Sequence, residues 1–223
     1  MKKKRISNVQ LILTILFTSV LLVSNIISSK IFNLFGFAMT SAVIVFPITY
    51  ILSDIFSEVY GYKYSRFTCY LAFIINLLAV GIFYIVYSLP AIDPSQNEAF
   101  KQVLVGAFNC TMASFIAFVV GDFFNDKVFS LMKRKHEGLT NHKGFGFRAI
   151  LSSICGELID SFIYLPLAFL VFNPIMTIND VLIMIIVQVS IKVIYEIITM
   201  PLTLFIVKKV SSYENSLLIN WQI

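Results

Sequence analysis

Apolar residues run along this chain in six windows of helix-spanning length, each bounded by charge or turn residues. About 20 mainly apolar residues in a helix rise ~30 Å, the thickness of a bilayer's hydrocarbon, so the pattern predicts six membrane-crossing helices. They run from Val9 to Ser29, Ala38 to Tyr60, Phe67 to Leu89, Phe100 to Phe124, Arg148 to Phe172 and Ile178 to Val207, the second and fourth being the least uniformly apolar. Between them SLPAIDPSQNE, from Ser88 to Glu98, reads as an outer loop with two prolines, and MKRKHEGLTNHKGFGF, from Met132 to Phe147, as a long inner loop.

Composition agrees with that picture. Hydrophobic residues make up 58% of the 223, charged residues 13%, Phe occurs 22 times and mean hydropathy is +0.87, far from the roughly 25% charged of soluble domains. The prediction is an all-α integral membrane bundle forming a single transmembrane domain over residues 1–223. The basic run before the first window resembles the start of a signal peptide, but no small-residue cleavage site follows, so the segment is expected to be retained. Cys69, Cys110 and Cys155 stand apart in apolar runs, without CxxC spacing, and read as small core residues.

Lysine and arginine collect on alternate sides. Lys2 to Arg5, Lys63, Arg66, Lys127, Lys133 to Lys135, Lys143, Arg148, Lys208 and Lys209 fall on one side, 14 of the 17, against Lys30 and Lys101 on the other. Both termini are therefore predicted to be cytoplasmic. This asymmetry accounts for the net charge of +5. Nucleic acid is not an expected partner, because the basic loops lack interleaved aromatic positions for stacking. His136 and His142 lie six apart, which fits neither a helical pair nor a metal motif, and neither metal nor cofactor is expected.

Against this apolar background, charge inside a helix is conspicuous. GELIDSFIYLPLAF, from Gly156 to Phe169, carries Glu157 and Asp160, and the last window carries Gln188, Lys192, Tyr195, Glu196 and Thr199 at helical spacing. Charged side chains near the bilayer centre cost at least ~2.5 to 3.5 kcal/mol each on insertion scales, so they face the bundle interior, as structural ion pairs or as a binding site. Counting ~1.5 Å per residue from the helix ends puts Glu157 and Lys192 nearly level, ~12 to 14 Å from the inner side, and Asn109, Asp160 and Gln188 level at ~18 Å. Two layers are expected: an ion pair of Glu157 with Lys192, and an amide and carboxylate layer that a structural pair would not explain. FPITYILSDIFSEVYG, from Phe46 to Gly61, adds Pro47, expected to loosen its helix near mid-membrane. It also adds Asp54 and Glu58, four apart near the inner end beside Lys63 and Arg66. Asp54, Glu58, Arg66 and Glu196 read as a cytoplasmic gate or ion network. Ala113 and Ala117 form a small-xxx-small pair suited to close packing.

FPITYILSDIFSEVYGYKYSR, ASFIAFVVGDFFND and SSICGELIDSFIYLPLAF, in this order in a six-helix chain, resemble the queuosine precursor transporters, also called the putative vitamin uptake transporter family. The resemblance covers nearly the whole chain. It implies a multi-pass carrier of the cell membrane that imports 7-deazaguanine bases, and a kinship with the membrane subunits of energy-coupling-factor vitamin transporters. Asp122 departs from the amide that part of the family carries after that glycine. A 7-deazaguanine presents N1–H and an exocyclic amine beside a carbonyl. Glu157 or Asp160 would accept the two donors, Asn109 or Gln188 would serve the carbonyl, and Phe46, Tyr50, Phe162 or Tyr164 would stack on the ring. Lys192 would hold the acids ionised. With no GxSxG, HExxH or GxGD motif, an enzyme is not expected. The alternative is a substrate-binding subunit energised by a separate ATPase module, since the chain has no phosphate loop, and a homodimer is compatible with either reading.

Overall fold

The computed structural model describes residues 6–135 and 142–220. The basic run from Lys2 to Arg5, His136 and most of the polar core of the predicted inner loop lie outside them. The chain forms helix α1 (Asn8–Ile27), a hairpin of β1 (Ile31–Leu34) and β2 (Phe37–Thr40), a 3-10 turn (Ser41–Ile44) and helix α2 (Phe46–Ile55). Then follow α3 (Tyr62–Tyr87), α4 (Pro94–Phe100), α5 (Gly106–Lys135), α6 (His142–Pro166) and α7 (Ile178–Asn220). Three π-helical turns, Phe56–Tyr60, Lys101–Val105 and Leu167–Val171, extend α2, join α4 to α5 and extend α6. Among the described residues five helical stretches are long and apolar enough to cross a membrane: Asn8–Ile27, Lys63–Tyr87, Pro94–Gly121, Ile154–Val171 and Ile178–Ser216.

The second predicted span is where the architecture departs from the hydropathy pattern. Its first residues enter β2, whose register with β1 runs from Ile31 opposite Thr40 to Leu34 opposite Phe37. The hairpin turns through Phe35 and Gly36, both at positive φ, and Asn33 Oδ1 accepts the Gly36 N–H at 2.8 Å. What remains helical after Val45 is a rod ending at Tyr60, roughly 22 Å at ~1.5 Å per residue and short of a full crossing. Pro47 stands in its first turn, where a missing N–H costs no helical hydrogen bond, so it starts the helix and does not loosen it. Phe46's carbonyl is taken by Thr49 Oγ1 at 2.5 Å. Gly61, at φ 87°, ends the rod and reverses the chain into α3, a conformation that a side chain would strain.

Two predicted loops are shorter than their composition suggested. Asp93 caps α4 by accepting from Ser95 N at 2.9 Å and Ser95 Oγ at 2.8 Å, which holds its exposed carboxyl below the usual range and pulls Pro94 to Glu98 into helix. On the other side α5 runs on to Lys135 and α6 already begins at His142, which is therefore helical.

Contacts fix how the helices run. Asn25 Nδ2 donates to Asn76 Oδ1 at 2.9 Å and Thr14 bonds Tyr64 at 2.8 Å, so α1 and α3 lie parallel. Gly121 of α5 faces Gly156 and Asp160 of α6, while Asn109 Nδ2 reaches the Phe172 carbonyl at 3.2 Å, which makes α5 and α6 antiparallel. A Cβ on Gly121 would stand 2.9 Å from Gly156 O, so this glycine sets the closeness of the pair. Glu214 near the end of α7 accepts from Tyr60 OH at 2.8 Å and from Ser7 Oγ, tying α7 to the entry of α1 and the exit of the α2 rod. That end of the bundle also carries Lys63, Lys208 and Lys209.

Side-chain packing divides the interior in two. Phe17, Phe46, Tyr50, Phe56, Phe73 and Phe118 form an aromatic core shared by α1, α2, α3 and α5, with ring centroids as close as 5.1 Å between Phe73 and Phe118. Ala113, Leu165, Phe169, Met184 and Val189 form a second core of α5, α6 and α7, against which Ile31 and Ala38 of the hairpin pack. Since lipid tails are as apolar as Leu, these cores are held by close packing and by polar pairs such as Asn25 with Asn76.

Candidate functional site

Between the two cores lies a narrow cavity of about 20 Å³, room for roughly one water molecule, with thin clefts running between the side chains around it. Seven elements close around it. Ser24, Asn25 and Ser28 come from α1, Thr40 from β2, Phe46 from the start of α2, Ser114 from α5, Asp160 and Tyr164 from α6, and Gln188 and Lys192 from α7, with Ala42 and Val43 of the 3-10 turn completing the wall. The hairpin has a clear purpose in this arrangement: it turns the chain after α1 so that Thr40 and Phe46 meet α7 deep in the bundle.

The charged centre is an ion pair. Lys192 Nζ lies 3.2 Å from Asp160 Oδ2 and 3.2 Å from Ser161 Oγ, and 5.1 Å from the centroid of the Phe46 ring. All four side chains are buried. Burying both charges is costly unless each is bonded, and the arrangement gives the ammonium a carboxylate, a hydroxyl and a ring face. Asp160 keeps lone-pair capacity beyond the one interaction with Lys192 and presents it to the cavity.

A second polar group stands one helical turn along α7. Gln188 Oε1 accepts from Thr40 Oγ1 at 3.1 Å, which orients the amide, and its Nε2 finds no hydrogen-bond partner among the described residues although Gln188 is buried. Ser24 Oγ is likewise buried without a partner. Unpartnered buried polar atoms are uncommon in folded chains, and here three of them, with Tyr164 Oη the third, belong to residues lining one cavity. On the α1 side the Asn25 amide is fixed by Asn76, whose own Nδ2 is held by the Ala72 carbonyl at 2.8 Å, so the Asn25 carbonyl oxygen is left outside that pair.

The structure gathers Asp160, Gln188, Lys192, Phe46 and Tyr164 on one cavity and places the other predicted residues elsewhere. Glu157 is buried but off the cavity wall, and the ion pair of Lys192 is with Asp160, not with Glu157 as the depth reckoning expected. Counting depth from assumed helix ends across a core of assumed thickness did not resolve the three residues that separate the two acids. Asn109 does not join Asp160 and Gln188. Its Nδ2 serves the Phe172 carbonyl beyond the π turn of α6, where one peptide group loses its helical partner. Tyr50 stacks edge-on against Phe46 at 5.5 Å and supports the wall from behind, whereas Phe162 is 56% exposed and faces lipid. Of the gate residues, Glu58 is exposed on the π turn, Asp54 and Arg66 are half-buried, and Glu196 is buried one turn beyond Lys192.

Sequence reasoning passed over Ser24, Asn25, Ser28, Thr40 and Ser114. A signal existed in α1, where Ser24, Asn25 and Ser28 fall on one face of an otherwise apolar helix. Thr40 carried none, because its role depends on a hairpin that hydropathy does not reveal.

A family model described as putative vitamin uptake transporter matches residues 40–206, about three quarters of the chain, and includes every cavity residue except those of α1. No curated protein and no solved structure matches.

Proposed function

The chain belongs to the putative vitamin uptake transporter family, and we propose that it is a carrier of the cell membrane importing a queuosine precursor, a 7-deazaguanine base such as queuine. A multi-pass membrane protein of this family needs a ligand site inside the bundle, and the observation that carries the reading is the polar inventory of the cavity. Asp160 supplies an acceptor for the N1–H and exocyclic amine of such a base, and the unpartnered Nε2 of Gln188 supplies a donor for its carbonyl. Phe46 and Tyr164 offer flat walls for the ring. Lys192 Nζ, 3.2 Å from Asp160 Oδ2, holds the carboxyl group in place for the acceptor role.

Asp160 would thus read the ligand and Lys192 would position Asp160. Because side chains fill the centre of the cavity, a base enters as they part, and the hairpin and the α1 face are the elements free to move without breaking the Asp160–Lys192 pair. The test is uptake of labelled queuine by proteoliposomes containing this chain alone. Uptake that unlabelled 7-deazaguanines compete away, and that adenine does not, is the expected result. Absence of uptake would overturn the stand-alone carrier, and uptake restored by an ATPase module would make the chain a substrate-binding subunit.

A further inference from the structure

Among the described residues four acidic or basic side chains are buried inside the bundle: Glu157, Asp160, Lys192 and Glu196. Asp160 and Lys192 neutralise each other on the cavity wall. Glu157, at 1% exposure, is the deepest of the four, does not line the cavity, and its Oε2 accepts no hydrogen bond from any described residue. Three charged groups act on it, Lys192 from α7, Asp160 from its own helix and Asp54 from α2. Two of these repel a carboxylate, and the third has its ammonium turned to Asp160 Oδ2 and Ser161 Oγ. An uncompensated buried charge is costly, and a carboxyl group avoids it by holding a proton.

Resting on the carrier reading above, we propose that Glu157 is the proton-binding site of the transporter and that one proton moves inward with each molecule of base. In the arrangement described, Glu157 is the neutral acid and the cavity wall is assembled, with Lys192 on Asp160 and above Phe46. The Glu157 carboxylate forms an O–H bond with a proton delivered from outer water and returns that proton to inner water, and no other bond forms or breaks. Once ionised, Glu157 competes with Asp160 for Lys192. Drawing the ammonium away leaves Asp160 unpaired and removes the cation from the Phe46 ring, which dismantles the wall that holds the base. Proton and base therefore favour the same state, and by linkage each raises the affinity for the other. The location suits this role, because Glu157 lies a single helical turn from Asp160 yet outside the space the base would occupy.

The test uses the full chain in proteoliposomes with the same labelled queuine. Wild type and Glu157→Gln, whose amide imitates the protonated acid, should both exchange internal for external base. A gradient of about one pH unit, inside alkaline and with the membrane potential clamped, should drive wild type to about tenfold accumulation, the limit for one coupled proton. Glu157→Gln should only equilibrate, and a protonophore should reduce wild type to the same level. Wild-type affinity should fall with rising pH by up to about tenfold per unit, and affinity of the variant should not change. Accumulation by Glu157→Gln, or failure of wild type to accumulate while it still exchanges base, would overturn the proton site and leave the carrier reading standing. Should the variant not fold, the protonophore and pH series on wild type decide the matter. Lack of exchange by wild type would overturn the carrier and the proton site together.

Discussion

Replacing Lys192 with methionine keeps most of the volume of the side chain and removes its charge, leaving Asp160 buried beside Ser161 with no cation. Breaking one half of a buried pair costs ~3 to 5 kcal/mol. Loss of the ammonium from the Phe46 ring, 5.1 Å away, adds about 0.5 to 2 kcal/mol. The variant lowers that cost by protonating Asp160 in the folded state. Folded protein then binds one proton more than unfolded protein near neutrality, so its stability relative to wild type declines as pH rises, by up to ~1.4 kcal/mol per unit. Adding Asp160→Asn removes the buried charge, and the double variant should recover most of the loss and its pH dependence. A second cycle, Lys192→Met with Glu157→Gln, should show weaker coupling, because Lys192 bonds Asp160 and Glu157 lacks that contact. The assay is thermal and denaturant unfolding of detergent-purified variants across pH. Equal stability of Lys192→Met and the Lys192→Met, Asp160→Asn double variant would refute the pairing, and stronger coupling to Glu157 would refute the register.

Gln188→Leu removes the unpartnered amide donor at nearly constant volume and should weaken binding of queuine by ~1 to 2 kcal/mol, five- to thirtyfold by calorimetric titration, with thermal stability lowered somewhat because buried Thr40 Oγ1 loses its acceptor. Gly121→Ala drives a methyl group to 2.9 Å from the Gly156 carbonyl and 3.2 Å from the Asp160 Cβ, so α5 and α6 must separate. It should cost about 1 to 3 kcal/mol in unfolding measurements, and a neutral result would place the two helices farther apart. Asn25→Leu and Asn76→Leu should each destabilise, and their double-mutant cycle should return a coupling of roughly 0.5 to 1.7 kcal/mol, additivity being the refuting outcome. In a background freed of Cys69, Cys110 and Cys155, a cysteine at exposed Gln96 should react with an impermeant thiol reagent in intact cells, and one at exposed Lys209 only after lysis; the reverse pattern would invert the topology.

Length and hydropathy alone found the five long helices, because ~20 apolar residues in lipid have no other way to satisfy their backbone, but not their ends: α5 runs on 11 residues past Phe124, α7 13 past Val207, and α6 begins six before Arg148. Sequence also singled out Asp160, Gln188 and Lys192, since polar groups are tolerated there only in the interior. It did not separate Leu165, fully buried, from Phe162, more than half exposed, because lipid and protein interior are equally apolar and hydrophobicity no longer sorts the faces of a helix. Nor did it show that residues after Ser29 leave the helical path. A hairpin through Phe35 and Gly36 is a matter of two backbone angles and a pairing register, and both are too local and too weak to register in a window of 20. Tertiary packing alone decided which acid meets Lys192, since a shift of one helical turn between α6 and α7 exchanges Asp160 for Glu157 with no change in either helix. It is this register of α6 against α7 that makes one acid a wall of the cavity and leaves the other beside it.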